Sequence, residues 1–341
     1  MTAPEKPAPA IAMEAKVVHR IAHMACRQHS WAVLYGPPVS SRRQRCFYYG
    51  GVSAHLEGKL TTSVIVLTRG DRDSELQTLA DSFYLPPTAE GILVHNGAGG
   101  ASLHPWRSVY SETNLGVPGG RNLGAQHAQG DVLVFLDDDA RCLDTDLIRH
   151  VERRFSSESD LGIVGFRIVK PGSRESQQRW TPYVGMGDTD RTADVTTFVG
   201  GGHAIRRDVF EAVGGYFAPL FYALEETDLA WRVIDGGWRV SFDAEIMLEH
   251  PDLGQERHAD VIRRTARNRV WLARRRLPLV IAPMYCVVWL AVQTLRSRSL
   301  GEWRDVLAGT WEGVTSSPGQ RNAMRWATVA HMARLGRPPI I

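Results

Sequence analysis

A chain of 341 residues with 43% hydrophobic and 23% charged side chains holds enough apolar material for a substantial core, which excludes a disordered or fibrous protein. Four well-separated cysteines, Cys26, Cys46, Cys142 and Cys286, form no CxxC pair; this excludes a disulfide framework or a zinc knot and fits a reducing cytoplasm. The net charge of +3 is unevenly spread, because from Arg257 onward fifteen arginines face four acids, a surplus of eleven that leaves the preceding part at −8. Such asymmetry predicts an anionic surface opposite the tail, a membrane or a nucleic acid, with a solvated basic face as the alternative; no aromatic-basic interleaving and no binding motif favours nucleic acid.

Residues 1–59 read as an N-terminal extension. Its first ten residues are rich in Pro and Ala and predict disorder. A helical pattern follows, with Val17, Val18 and Ile21 on one face, then a loop-like stretch from Gly36 to Lys59. Glu14, Lys16 and Arg20 interrupt the helix too often for a secretory signal.

The regular part begins with SVIVLT, Ser63 to Thr68, a β-branched run that predicts a buried strand. A helix follows over Asp73–Tyr84, with Ser74 and Gln77 as a capping box, and then a second strand at Ile92–Val94. Strand, helix and strand at this spacing predict a right-handed crossover and a parallel sheet. Gly119 and Gly120 precede a short helix carrying Arg121, whose first amides are available to an anion.

That glycine-rich stretch feeds GDVLVFLDDDA, Gly130 to Ala140, a continuous apolar run that ends in three aspartates. Ligands of open α/β sheets collect at the carboxyl ends of strands, and carboxylates packed so densely repel unless a cation shares them. Hard oxygen ligands predict Mg2+ or Mn2+. A solvated turn is the alternative for the triplet taken alone.

Further on, Leu147–Phe155 predicts a helix, Gly162–Val169 a strand, and Lys170–Asp194 a long loop over the site. TFVGGGH, Thr197 to His203, reads as a strand ending in glycines, with Gly201, Gly202 and His203 where a bulky ligand can approach the backbone. Arg207–Val213 predicts a helix closed by Gly214 and Gly215. In LEETDLAWR, Glu225, Glu226 and Asp228 crowd the first turn of a helix. Acids there cap a helix, yet three exceed what one cap needs, and their packing raises a pKa toward that of a general base. Strands at Trp238–Phe242 and Ile246–Leu248 lead to His250, a neutral imidazole able to complete a metal shell begun by Asp137 and Asp139. The tail is helical and basic. Its stretch Leu277–Leu295 is uncharged over 19 residues, near the ~20 that cross a bilayer, but Pro278 and Pro283 favour an interfacial or packed helix.

In this order the motifs resemble glycosyltransferase family 2, the nucleotide-sugar-dependent enzymes of the A fold. The resemblance spans about Thr61 to Arg276 and rests on SVIVLT, NLGVPGGRNLG, FLDDDA, VGGGHAIRRDVF, EETDLAWR, His250 and ARNRVWLARRRLP. It implies an α/β, Rossmann-like, mostly parallel sheet flanked by helices in a catalytic domain at 60–256, with the basic tail at 257–341. It further implies that Thr68, Arg69 and Asn96 line a base and ribose pocket, that Arg121 lies near base or phosphate, and that Asp137 and Asp138 hold ribose and metal. Asp139 would be the main metal ligand and His250 another. Glu226 stands where relatives carry an aspartate base, with Glu225 and Asp228 beside it, and His95 stands where many carry an aspartate that reads the base. The implied reaction is an inverting, metal-dependent transfer from a nucleotide-diphosphate sugar to a hydroxyl or amine of a glycan, lipid-linked or small-molecule acceptor. The enzyme would be cytoplasmic, with a peripheral contact to the inner face of the cell membrane. Two other readings are a non-catalytic binding subunit and a sugar nucleotidyltransferase; the latter's GxGTR-like loop and following lysine are absent from TRGDRDSE.

Overall fold

The computed structural model describes residues 60–97, 99–100, 102–176, 181–182, 189–251 and 259–340. The predicted extension at 1–59, and much of the loop expected over Lys170–Asp194, lie outside the described residues.

A nine-stranded sheet organises the chain, in the order β3 (Arg107–Ser111), β2 (Ala89–Asn96), β1 (Thr62–Thr68), β4 (Val132–Asp137), β8 (Gly202–Arg206), β6 (Leu161–Val169), β9 (Arg239–Glu249) and β5 (Arg141–Cys142), with β7 (Ala193–Asp194) on β9. The first strand β1, Thr62–Thr68, is buried along nearly its whole length because both faces of the sheet are covered, so its β-branched side chains fill two cores at once: Ile65 on one side, Val64 and Val66 on the other. It pairs in parallel with β2, Ala89–Asn96, and with β4, Val132–Asp137, while β3, Arg107–Ser111, extends the parallel half. Helix α1, Asp73–Asp81, crosses between β1 and β2. Its predicted capping box does not form: Ser74 bonds the carboxylate of Glu75, Gln77 bonds Asp81, and Arg72 occupies the N-cap position.

Helix α2, Gly116–His127, starts earlier than its glycines suggest. Gly120 sits inside it, where an added Cβ would lie 2.3 Å from Leu67 of β1. The glycine therefore serves close helix-sheet packing, which brings Arg121, the next residue, to the carboxyl end of the sheet. The first amides of α2 are occupied by the protein, with Leu115 N donating to Asn96 Oδ1, Gly116 N to Asn114 Oδ1 and Val117 N to the Phe221 carbonyl. The predicted anion cradle at this helix start is thus closed.

Beyond β4 and the short β5, Arg141–Cys142, come α3, Leu147–Ser157, and β6, Leu161–Val169, then β7, Ala193–Asp194, and β8, Gly202–Arg206. Strand β8 runs antiparallel to both β4 and β6. The glycine run therefore precedes its strand rather than ending one, and lies beside the end of β4, where Asp137 N donates to the Gly201 carbonyl. Helix α4, Arg207–Ala212, closes at Gly214 and Gly215. Helix α5, Glu225–Asp235, leads into β9, Arg239–Glu249, one strand where two were expected; its polar middle follows a register shift against β6, and Asp243 there pairs with Arg154. The basic part folds into α6, Ala259–Arg276, α7, Ala282–Arg296, α8, Leu300–Thr315, and α9, Trp326–Arg334. Pro283 falls in the first turn of α7, where a missing N–H costs nothing. Among the described residues no helix is long and apolar enough to cross a membrane.

Candidate active site

At the carboxyl end of β4 two of the three aspartates, Asp137 and Asp139, meet His250, which follows β9. His250 Nε2 lies 2.9 Å from Asp139 Oδ1 and 3.6 Å from Asp137 Oδ2. Its Nδ1 is 3.0 Å from the Pro251 carbonyl, which can only accept, so Nδ1 carries a hydrogen and Nε2 faces the carboxylates. One ligand atom from each of Asp137, Asp139 and His250 falls within 4.8 Å of the others. Two carboxylates and an imidazole so arranged suit a divalent cation such as Mn2+ or Mg2+. Without one, burial disfavours charge on the imidazole, but the two aspartates override it and raise His250 to about 9. Burial likewise works against ionised Asp137, and His250 and Arg121 together hold its carboxyl well below the usual range.

Arg121 ties this cluster to the second acidic group. Its buried guanidinium donates to Asp137 Oδ1 at 3.1 Å, to Glu226 Oε1 at 3.3 Å and to the Gly200 carbonyl at 2.7 Å. Gly200 is required there: a Cβ would stand 2.0 Å from Glu226 Oε1 and 3.1 Å from the Arg121 guanidinium. Burial raises Glu226, with Arg121 opposing, and raises Glu225 further because the charge of Glu226 adds to it. Glu225 Oε2 is buried with no hydrogen-bond partner.

The turn into α5 is strained. Phe221, Ala223 and Leu224 have φ of 64°, 70° and 70°, a left-handed conformation that costs about 1–3 kcal/mol at each non-glycine residue. Asn268 of α6 holds it: fully buried, its Nδ2 lies 3.0, 2.8 and 2.9 Å from the carbonyls of Leu220, Tyr222 and Ala223. Arg267 in turn donates to Asn268 Oδ1. A helix of the tail thus sets the entry to the glutamate pair.

The remaining predicted residues divide. Burial pushes the Asp138 carboxyl up to about 6, against the pull of Thr68 and Arg72. Arg69 is exposed. Asn96 spends its side chain on Asn114, Leu115 and Gly116, organising the loop before α2. Gly201 and Gly202 are buried, and His203 turns into the core, hydrogen-bonded to Tyr216 and stacked on Phe135, so Gly200 rather than this trio borders Glu226. Asp228 is committed to two arginines, with Arg276 Nε 2.7 Å from Oδ1 and Arg232 Nε 2.9 Å from Oδ2; these override burial and hold its carboxyl low. Sequence reasoning missed Arg72, 3.2 Å from Asp138 and paired with Asp139, as well as Gly200 and Asn268.

Residues 98–214 match the family model described as glycosyl transferase family 2. An uncharacterized protein of Haemophilus influenzae is 38% identical over 96 residues, 27% of this chain and 51% of that protein, so the chain spans about half the length of this curated relative. Solved structures extend the likeness beyond the family 2 segment. GalNAc-T7 with UDP, GalNAc and Mn2+ has a TM-score of 0.55 and 16% identity, covering 73% of this chain and 54% of that one. TarS 1-349 of S. aureus in complex with UDP has a TM-score of 0.52 and 17% identity over 75% and 81% of the two chains. The mannosyltransferase PcManGT of Pyrobaculum calidifontis with GDP-Man and Mn2+ has a TM-score of 0.51 and 16% identity over 95% and 88%. At these identities the likeness is one of fold, that of glycosyltransferases of the A fold.

Proposed function

We propose that the chain is an inverting glycosyltransferase that uses a divalent cation and moves a hexosyl or deoxyhexosyl group from a nucleotide-diphosphate sugar to a hydroxyl or amine. One observation carries this reading: Arg121 joins Asp137 of the carboxylate–imidazole cluster to Glu226, so the diphosphate end and the proton acceptor stand one guanidinium apart. Asp137, Asp139 and His250 would hold the cation, which when bound offsets charge on the departing nucleoside diphosphate. Glu226 takes the acceptor proton as the acceptor oxygen or nitrogen attacks the anomeric carbon, and the bond to the diphosphate oxygen breaks on the opposite face. Inversion follows from this single displacement. Burial raises the Glu226 carboxyl toward the range of a general base, and the Arg121 guanidinium opposes that rise. Asp228, with both oxygens engaged by arginines, is the weakest candidate base of the three acids, and Glu225, whose Oε2 has no hydrogen-bond partner, the next to test after Glu226.

The test begins with a thermal-shift screen of nucleotide-sugars in the presence of manganese, since a specific ligand stabilises only the folded state. With the donor in hand, Asp139→Ala should lose donor hydrolysis and transfer, and Glu226→Gln should lose transfer by at least ~100-fold with donor affinity unchanged. A Glu226→Gln protein that keeps most of its turnover overturns the base assignment. Binding without turnover on any acceptor favours the non-catalytic subunit reading instead.

A peripheral contact with an anionic membrane is part of the same proposal. Met284, Val287 and Leu295 of α7 and Leu300, Trp303, Leu307, Trp311 and Val314 of α8 are exposed at helical spacing, and exposed Arg296, Arg298 and Arg304 border them.

A further inference from the structure

A cavity of about 60 Å³ opens beside Thr227, the residue after Glu226. Its opposite wall comes from the tail, with Arg269 of α6, Tyr285 and Trp289 of α7, and Arg337 beyond α9. Arg269 donates to the Tyr285 hydroxyl at 3.0 Å and lies over the Trp289 ring, 3.2 Å from its centre. Its Nε is buried with no hydrogen-bond partner, as is Trp289 Nε1. Among the described residues no carboxylate lies within ion-pair distance of Arg269. Burial disfavours charge on Arg269. A guanidinium does not give up its proton, so that cost persists until an anion enters.

The free groups are donors. Arg269 Nε–H and the Trp289 indole N–H lack acceptors, and of the hydroxyls of Thr197 and Thr227, 3.2 Å apart, only one can donate to the other. Donors around a positive charge select an oxyanion. One water needs about 10–15 Å³ by this measure, so the cavity admits a carboxylate or phosphate group but not a sugar ring. The remainder of such a molecule must lie outside. Thr227 and Thr197 both lead to Glu226, the first by adjacency and the second through Gly200, three residues on.

We propose that this cavity is a subsite for the oxyanionic group, carboxylate or phosphate, of the molecule presented to Glu226. The proposal rests on Glu226 as the acceptor's base, and it narrows the acceptor to an acidic compound.

Isothermal titration of the full chain with inorganic phosphate and, separately, with acetate tests it. The expected result is saturable binding of at least one anion, weakened at least ten-fold in Arg269→Gln and several-fold in Trp289→Phe, which keeps a stacking ring but removes the N–H. Tighter phosphate than acetate identifies a phosphoryl group, and the reverse a carboxylate. No saturable binding to the wild-type chain overturns the proposal, and so does phosphate affinity equal in all three proteins, which would belong to the diphosphate end of the donor site. The titration reads no turnover: a Glu226→Gln enzyme that stayed active would remove the base reading and leave the anion result standing.

Discussion

Gly200 shows how small a change separates this site from a disordered one. A methyl group there meets the far end of the Glu226 side chain, which can swing aside, and not a backbone that would have to break. Gly200→Ala should therefore fold with an unchanged denaturant midpoint yet lose about 10–100-fold in turnover, because an ångström of misplacement at a reacting group is worth that much. Glu225 makes a prediction of opposite sign. Burial and the neighbouring Glu226 raise its carboxyl above the ~4.3 of the unfolded chain. As pH climbs from that value the unfolded chain releases the proton first, so stability falls until the folded group also ionises. Glu225→Gln lacks this penalty. Its Tm should exceed that of the wild type at pH 8, by about 2–4 °C for each kcal/mol removed, and the two should converge near pH 4. Melts at both pH values decide it; a variant less stable at pH 8 refutes the assignment. The acidic clusters were legible because each is contiguous and stands at an element end. Arg72 was not, since TRGDRDSE mixes charges with no spacing that singles out one arginine.

Helices read best where an apolar period met a glycine stop, as in α4 and α5. Strands suffered more: β3 is five residues with only its middle one buried, leaving no alternation to detect, and the polar middle of β9 mimicked a break. What no local pattern could reveal is the use of α6. Asn268 lies in an arginine-rich helix, and only the fold brings it to the left-handed turn before Glu225. Asn268→Ala should release that turn, lowering kcat about ten-fold or more with little change in donor KM, and amides of residues 220–225 should exchange faster with deuterium. Equal kcat with faster exchange would show that the turn's geometry does not govern the glutamates. Asp228 couples the same two helices through Arg276, a role that the acids of EETDLAWR concealed.

On the scale of the molecule, charge and apolar surface point the same way. The tail's positive surplus lies in sequence with α7 and α8, whose exposed Leu, Val, Met and Trp side chains no described residue covers. Vesicles containing phosphatidylglycerol should sediment the protein, vesicles of phosphatidylcholine alone should do so weakly, and 0.5 M salt, at roughly a 4 Å screening length, should reverse most of the binding. Leu295→Glu with Trp311→Glu should abolish it. Indifference to lipid charge would rule out the electrostatic part.

Asn268 and Arg276 also bear on engineering. Grafting the basic tail of one relative onto the sheet of another, a natural route to altered acceptor choice, would replace the clamp on the turn before Glu225 and the partner of Asp228 in the same stroke. Hybrids joined after β9 should accordingly bind donor but turn over slowly unless those two side chains travel with the recipient sheet.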